Sequence, residues 1–163
     1  MSTPRRRGPA RPPGTLAGMR PFTRKTLLCL HVVSSVGWLG VTLGDLALGL
    51  AAYGDATLYR AVVVLADYAL VPLGLVALVT GVVLALGTHW GLAKHWWVLI
   101  KLVLTVLALA ATTFLLRSAV RDAAAGDPRG ALDVVVASSV SLTVYVVSTV
   151  LSVFKPRART RWA

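Results

Sequence analysis

The sequence predicts an all-α, polytopic membrane protein: a bundle of four transmembrane helices with both termini on the cytoplasmic side. Three observations carry that reading. Hydrophobic residues make up 56% of the 163-residue chain and charged residues 14%, with mean hydropathy +0.75. A water-soluble globule of that composition would lack the polar residues to cover its surface. Four continuous apolar runs, at 27–50, 61–86, 96–116 and 132–154, are each long enough at ~1.5 Å per helical residue to cross roughly 30 Å of hydrocarbon. The basic residues gather at the two ends of the chain, as cytoplasmic flanks do. The length suits one compact unit.

In chain order, residues 1–24 are rich in Pro, Arg and Gly and bury too little apolar surface to offset the entropy of ordering. They are expected to be a disordered basic tail. A signal peptide is disfavoured, because the apolar run from Thr26 to Ala52 far exceeds an h-region of ~7–15 residues. Arg5-Arg6-Arg7 stands apart from that run across a Pro/Gly-rich stretch, unlike a twin-arginine signal. The transmembrane domain, 25–154, then begins with the helix at 27–50. Cys29, the only cysteine, excludes an internal disulfide and a clustered-thiolate site, and it is expected to be a small buried apolar residue. In the second helix, Pro72 beside Gly74 predicts a kink. Trp90, Trp96 and Trp97 around the following loop, and Tyr53 and Tyr59 at the opposite end, read as interfacial anchors. Gly126, Asp127, Pro128 and Gly130 make a turn before the last helix. Residues 155–163 are a second basic tail. Val-rich stretches such as Val134-Val135-Val136 favour strands in water, but lipid demands intrasegment hydrogen bonds, and runs this long and continuous do not fit a barrel.

Charge sets the orientation. With the N-terminus inside, twelve cations flank the inner ends of the helices: seven in the first tail, Lys94 in the second loop and four after the last helix. The outer flanks hold Arg60, Arg117, Arg121 and Arg129, and Lys101 lies within a helix. The chain is expected in the cytoplasmic membrane, with the lipid bilayer as its partner and a second copy or another membrane protein as a further candidate. The net charge of +11 needs no nucleic acid to explain it, because the cations are flanks and not a folded basic surface.

Several polar residues lie where lipid would penalise them. His31, Ser35, Trp38, Thr42 and Asp45 follow spacings of three and four and share one face of the first helix. That face is expected to turn into the bundle, since a bare imidazole or carboxylate costs several kcal/mol in lipid. Gly37, Gly40 and Gly44 allow close helix contact, the last two at small-xxx-small spacing. Asp67 in the second helix, Thr105 with Lys101 and Thr112 in the third, and Asp133 at the start of the fourth are further intrabundle candidates. Ser141, Tyr145, Ser148 and Ser152 form a stripe along the fourth helix. An intramembrane cation is a site hypothesis by default, so Lys101 is expected to face the bundle and approach His31. His31, His89 and His95 are all expected near the cytoplasmic side, and His31 with His95 could grip one haem axially. Copper finds little support, because Met1 and Met19 are the only methionines. Catalytic triads, phosphate loops and paired carboxylates are absent.

The segments "HVVSSVGWLG" from His31 to Gly40 and "VTGVVLALGTHWGLAKHWWVLIKLVLT" at 79–105 resemble a family of small bacterial integral membrane proteins of unknown function. That family is similar in turn to the membrane domain of copper-resistance D proteins, which shares a helical His followed by a Trp-Gly pair. Thr80-Gly81 and the Gly-aromatic stretch leading to Lys101 complete the likeness, which covers roughly 26–117. A more distant likeness is to HemJ-type protoporphyrinogen oxidases, with a helical His and a later Lys and an implied haem. The resemblance implies that any inherited role attaches to His31 and Lys101, with Trp38 and Thr80 structural.

Three functional readings stay open: an intrabundle polar site for a small ligand, ion or cofactor around His31, Lys101 and His95; a haem-binding membrane oxidoreductase with His31 as axial ligand; and a structural or partner-binding membrane subunit. The sequence does not decide whether the chain is an enzyme.

Overall fold

The computed structural model describes residues 19–52, 55–87 and 96–154. Helix α1 is Pro21–Ala51. Helix α2 joins the α segment Ala56–Leu65, a π turn at Ala66–Leu70 and the α segment Val71–Leu86. Helix α3 repeats that plan with Trp96–Ala111, a π turn at Thr112–Leu116 and Arg117–Ala124. Helix α4 is Pro128–Phe154. All four are long and apolar enough to cross a membrane, and the described residues contain no strand.

The helices outrun the apolar segments that announce them. Pro21 sits in the first turn of α1, where its fixed φ suits a helix and its missing N–H is no loss, so 21–24 belong to α1 and not to the tail. At the other end of the chain's third run, Arg117, Arg121 and Asp122 interrupt the hydropathy but not the helix, and α3 continues to Ala124. The α3–α4 turn is then tight. Gly126 takes φ +92, a left-handed conformation that a glycine adopts without a Cβ penalty. Asp127 Oδ1 accepts from the Arg129 amide at 2.9 Å and caps α4, and Asp55 caps α2 in the same way through Thr57 at 2.8 Å. Gly130 lets α4 close on α3, since a Cβ there would lie 2.5 Å from the Ala123 nitrogen and 2.8 Å from the Ala119 carbonyl.

The helices form a four-cornered bundle in which α1 packs on α2 and α4, and α3 packs on the same two from the opposite corner. Gly49 meets Val134, and Trp38 meets Tyr145. Equal intervals therefore separate the contacts on the two chains, so α1 and α4 run antiparallel in one register. Extended along that register, Asp45 is level with Ser138 and His31 with Ser152. The start of α1 and the finish of α4 share one end of the bundle, the termini end; the α1–α2 and α3–α4 turns lie at the far end.

Burial is inverted relative to a soluble protein. Ser34, Thr42, Asp45, Thr112, Ser138 and Ser141 are buried, while Val33, Val36, Leu43, Phe114 and Leu115 are exposed. A bilayer solvates such an exterior and drives the polar groups inward. Cys29 belongs to that exterior: it is exposed and not the buried apolar residue expected. Tyr59 departs the other way, being buried with its hydroxyl donating to the Gly49 carbonyl at 3.3 Å instead of anchoring at an interface. Gly40 and Gly44 do not bring helices together within the bundle, as a Cβ at either would meet nothing within 4 Å.

The expected break at Pro72 takes the form of the π turn just before it. Proline has no amide hydrogen for the carbonyl four residues earlier, and the preceding Val71 amide reaches back to Ala66, five residues away. In α3 no proline is involved. There the Thr113 hydroxyl donates to the Leu109 carbonyl at 2.8 Å and competes with the backbone amide, and the Arg117 amide bonds Thr112. The two π turns pack against each other.

Candidate intrabundle ligand site

The site is built outward from His31, which is half-buried where α1 faces α2. Its Nδ1 lies 3.0 Å from the Ala77 carbonyl and 3.1 Å from Thr80 Oγ1. A carbonyl can only accept, so Nδ1 carries the hydrogen. Thr80 is consistent with this, because its own hydrogen goes to the Val76 carbonyl at 2.6 Å, leaving the oxygen free to accept. In the neutral ring the lone pair then resides on Nε2, the arrangement in which an imidazole serves as a ligand or base. Gly81 makes room for the ring: a Cβ at that position would stand 3.0 Å from His31 Cε1. Thr80 and Gly81 thus seat the imidazole together, one by hydrogen bond and one by absence of a side chain.

Lys101 enters from the diagonal helix α3. Its ammonium donates to Ser152 Oγ on α4 and acts electrostatically on the His31 ring. Ser152 can accept because its own hydrogen is donated to the Ser148 carbonyl at 2.8 Å. No carboxylate among the described residues lies within ion-pair distance of Lys101; the ion pairs there join Asp67 to Arg117 and Arg121. Ser148 Oγ, one turn further along α4, is buried without a hydrogen-bond partner.

Seven residues along α1 from His31, Trp38 is buried at the bundle centre. Its indole stacks edge-on against Tyr145 at 4.7 Å and fills the gap left by Gly74, where a Cβ would come within 2.8 Å of the indole and of Leu109. Thr42, next along the stripe, donates to the Trp38 carbonyl at 3.0 Å. Asp45 is fully buried, and neither carboxylate oxygen has a hydrogen-bond partner. Trp38 Nε1, Ser138 Oγ and Thr112 Oγ1 are likewise buried and unpartnered.

The remaining candidates scatter. Ser35 is only half-buried; its neighbour Ser34 takes the buried position and donates to the His31 carbonyl at 3.1 Å. Thr105 is half-buried on α3. Asp67, on the π turn of α2, is drawn out of the polar file by Arg117 and by Arg121 at 3.6 Å. Asp133 is exposed, not intrabundle: the inward positions of that turn belong to Gly130, Ala131 and Val134. His95, with His89, lies outside the described residues. Among the described residues no cluster of three His, Cys or Asp side chains could hold a metal ion.

Sequence reasoning missed the partners more than the principals. Ala77 contributes only a main-chain carbonyl, which leaves no trace in residue type. Ser138 is one serine of a Ser138-Ser139 pair and becomes legible only once the α1–α4 register is known. Compared with protein-family models, with curated proteins and with solved structures, the chain matches none.

Proposed function

We propose that this is a multi-pass protein of the cytoplasmic membrane, both termini inside, that binds a small ligand through an anionic group between Lys101 and His31. The observation that carries the reading is the Lys101 ammonium, placed inside the bundle with a serine as hydrogen-bond acceptor and no carboxylate among the described residues to balance it. An intramembrane cation without a counter-charge is costly, and a bound anion removes that cost. Around it, His31 Nε2 offers a fixed lone pair, while Ser148 offers a hydroxyl without an internal partner. The resemblance in the His31–Gly40 and 79–105 segments points to the same two residues.

The test is thermal unfolding of the full chain in lipid nanodiscs, titrated with acetate and with inorganic phosphate. Saturable stabilisation is expected in the wild type, about 2.7 kcal/mol at a hundredfold excess over the dissociation constant, and its loss in Lys101→Met. Superimposable titrations of the two proteins would contradict the reading.

One observation favours a second, haem-binding reading. Nδ1 of His31 is held by a backbone carbonyl, which is how an axial histidine is oriented toward iron, and haem carries the carboxylates that Lys101 would neutralise. A Soret band on haem reconstitution, lost in His31→Ala, is the expected sign of that case; its absence in the wild type eliminates it.

A further inference from the structure

Asp45 plays no part in the His31–Lys101 site, from which it is separated by fourteen residues of helix, about 21 Å along the axis. It is nevertheless the most demanding group in the molecule. Its relative exposure is 0%, and both carboxylate oxygens lack a hydrogen-bond partner.

The groups around Asp45 leave it without a counter-charge. On α4, Ser138 stands level with it, and the Tyr145 hydroxyl sits against Thr42 within electrostatic reach of the carboxyl. On α2, Tyr59 donates to the Gly49 carbonyl, Asp67 is held by the arginines of α3, and Arg60 and Tyr68 are exposed. Asp133 and Arg129 on α4 are exposed as well. No described cation pairs with Asp45. An ionised carboxylate so placed is strongly disfavoured, whereas a neutral carboxylic acid needs only one acceptor for its hydrogen. Ser138 Oγ, equally buried and without a partner, stands level with Asp45 but does not hydrogen-bond it.

The interior differs on the two sides of Asp45. Toward the far end the core is mostly apolar, with Ala52, Val62, Val120, Ala131 and Val134 buried, and the Tyr59 hydroxyl there is donated to the Gly49 carbonyl. Toward the termini end Trp38 and Leu109 continue the core, but beside them stand the hydroxyls of Thr42, Tyr145, Ser148 and Ser152, and then the Lys101 ammonium. Hydroxyls both accept and donate, so a file of them can pass a proton where a wall of methyl groups cannot.

We propose that Asp45 is a buried proton-binding site, occupied at neutral pH and loaded from the termini end by way of Tyr145. The step is a simple protonation: a proton entering along the hydroxyl file forms the O–H bond of the Asp45 carboxyl, and the reverse returns it to the same end.

Infrared difference spectroscopy of the full chain in proteoliposomes tests this. The wild type at neutral pH is expected to show the carbonyl stretch of a protonated carboxylic acid, shifted by exchange into heavy water and lost in Asp45→Asn. Tyr145→Phe is expected to keep the band and slow its deuterium shift. Should Asp45→Asn fail to fold, Asp45→Glu serves instead, and moves the band by placing the carboxyl one methylene further from α1. Identical spectra for wild type and Asp45→Asn would overturn the proposal, as would a band abolished by sodium ions, which would make a metal cation the occupant. An unchanged exchange rate in Tyr145→Phe would overturn the route.

Discussion

Helix α1 meets its two neighbours in opposite ways. Against α2, its polar groups are answered: the His31 ring has a carbonyl and a hydroxyl, and Gly81 is cut back to admit it. Against α4, the same helix sets Asp45 level with Ser138 and the Trp38 ring on Tyr145, and neither the Asp45 carboxyl nor the Ser138 and Tyr145 hydroxyls are answered by a well-formed hydrogen bond. A satisfied contact fixes position, and that is what a ligand-bearing imidazole requires. An unsatisfied one is tolerable only if something from outside the chain completes it. The comparison therefore separates side chains whose hydrogen bonds hold the bundle in shape from buried polar side chains that no other group of the described chain satisfies.

Trp38 joins the two contacts, so widening its slot is the severest way to break the comparison. Gly74→Val puts a branched side chain where even a Cβ would lie 2.8 Å from the indole and from Leu109. A loss of about 3 kcal/mol is expected, read as a fall in the unfolding midpoint in detergent. Next in size is Asp67→Asn, which strips Arg117 and Arg121 of their carboxylate at the facing π turns. Because these side chains are only partly buried, about 1–3 kcal/mol is expected, and the loss should vanish on the background of Arg117→Met with Arg121→Met.

A paired experiment sharpens the contrast itself. Thr80→Val removes a hydroxyl that is in use and should cost about 1 kcal/mol, whereas Ser138→Ala removes one that is not and should be neutral or slightly stabilising. Equal costs at the two positions would erase the distinction between the faces. The smallest effect belongs to Gly40→Ala, whose added methyl meets nothing within the bundle. A gain of up to about 1 kcal/mol from helix propensity is expected; a clear loss would reveal a second molecule packed on that surface, detectable by crosslinking in native membranes.

The fold was largely legible because lipid imposes one rule on backbone and side chains alike. Apolar runs long enough to span mark the helices, and the polar stripe at Trp38, Thr42 and Asp45 marks the inward face. Helix ends were harder to read: Arg117 and Arg121 look like a loop by hydropathy, but Asp67 on a facing helix makes them part of α3. Asp133 stands at the start of the fourth apolar run, but the helix begins at Pro128 and its buried face runs through Ala131, Val134 and Ser138, which leaves Asp133 outside. Glycine carried the least information. Gly37 packs on Leu73 and Gly49 on Val134, while Gly40 and Gly44, alike in sequence, pack on nothing in the bundle. Only the register between helices tells them apart.

The account rests on how His31 is held, and solid-state NMR of the full chain in lipid bilayers, labelled with nitrogen-15 at histidine, reads that directly. His31 is assigned by comparison with His31→Gln. The expected result, without added ligand, is a rigid neutral ring protonated at Nδ1 and bare at Nε2, with Thr80→Val perturbing the Nδ1 resonance. A ring protonated at Nε2 alone, or one averaging freely between orientations, would contradict it.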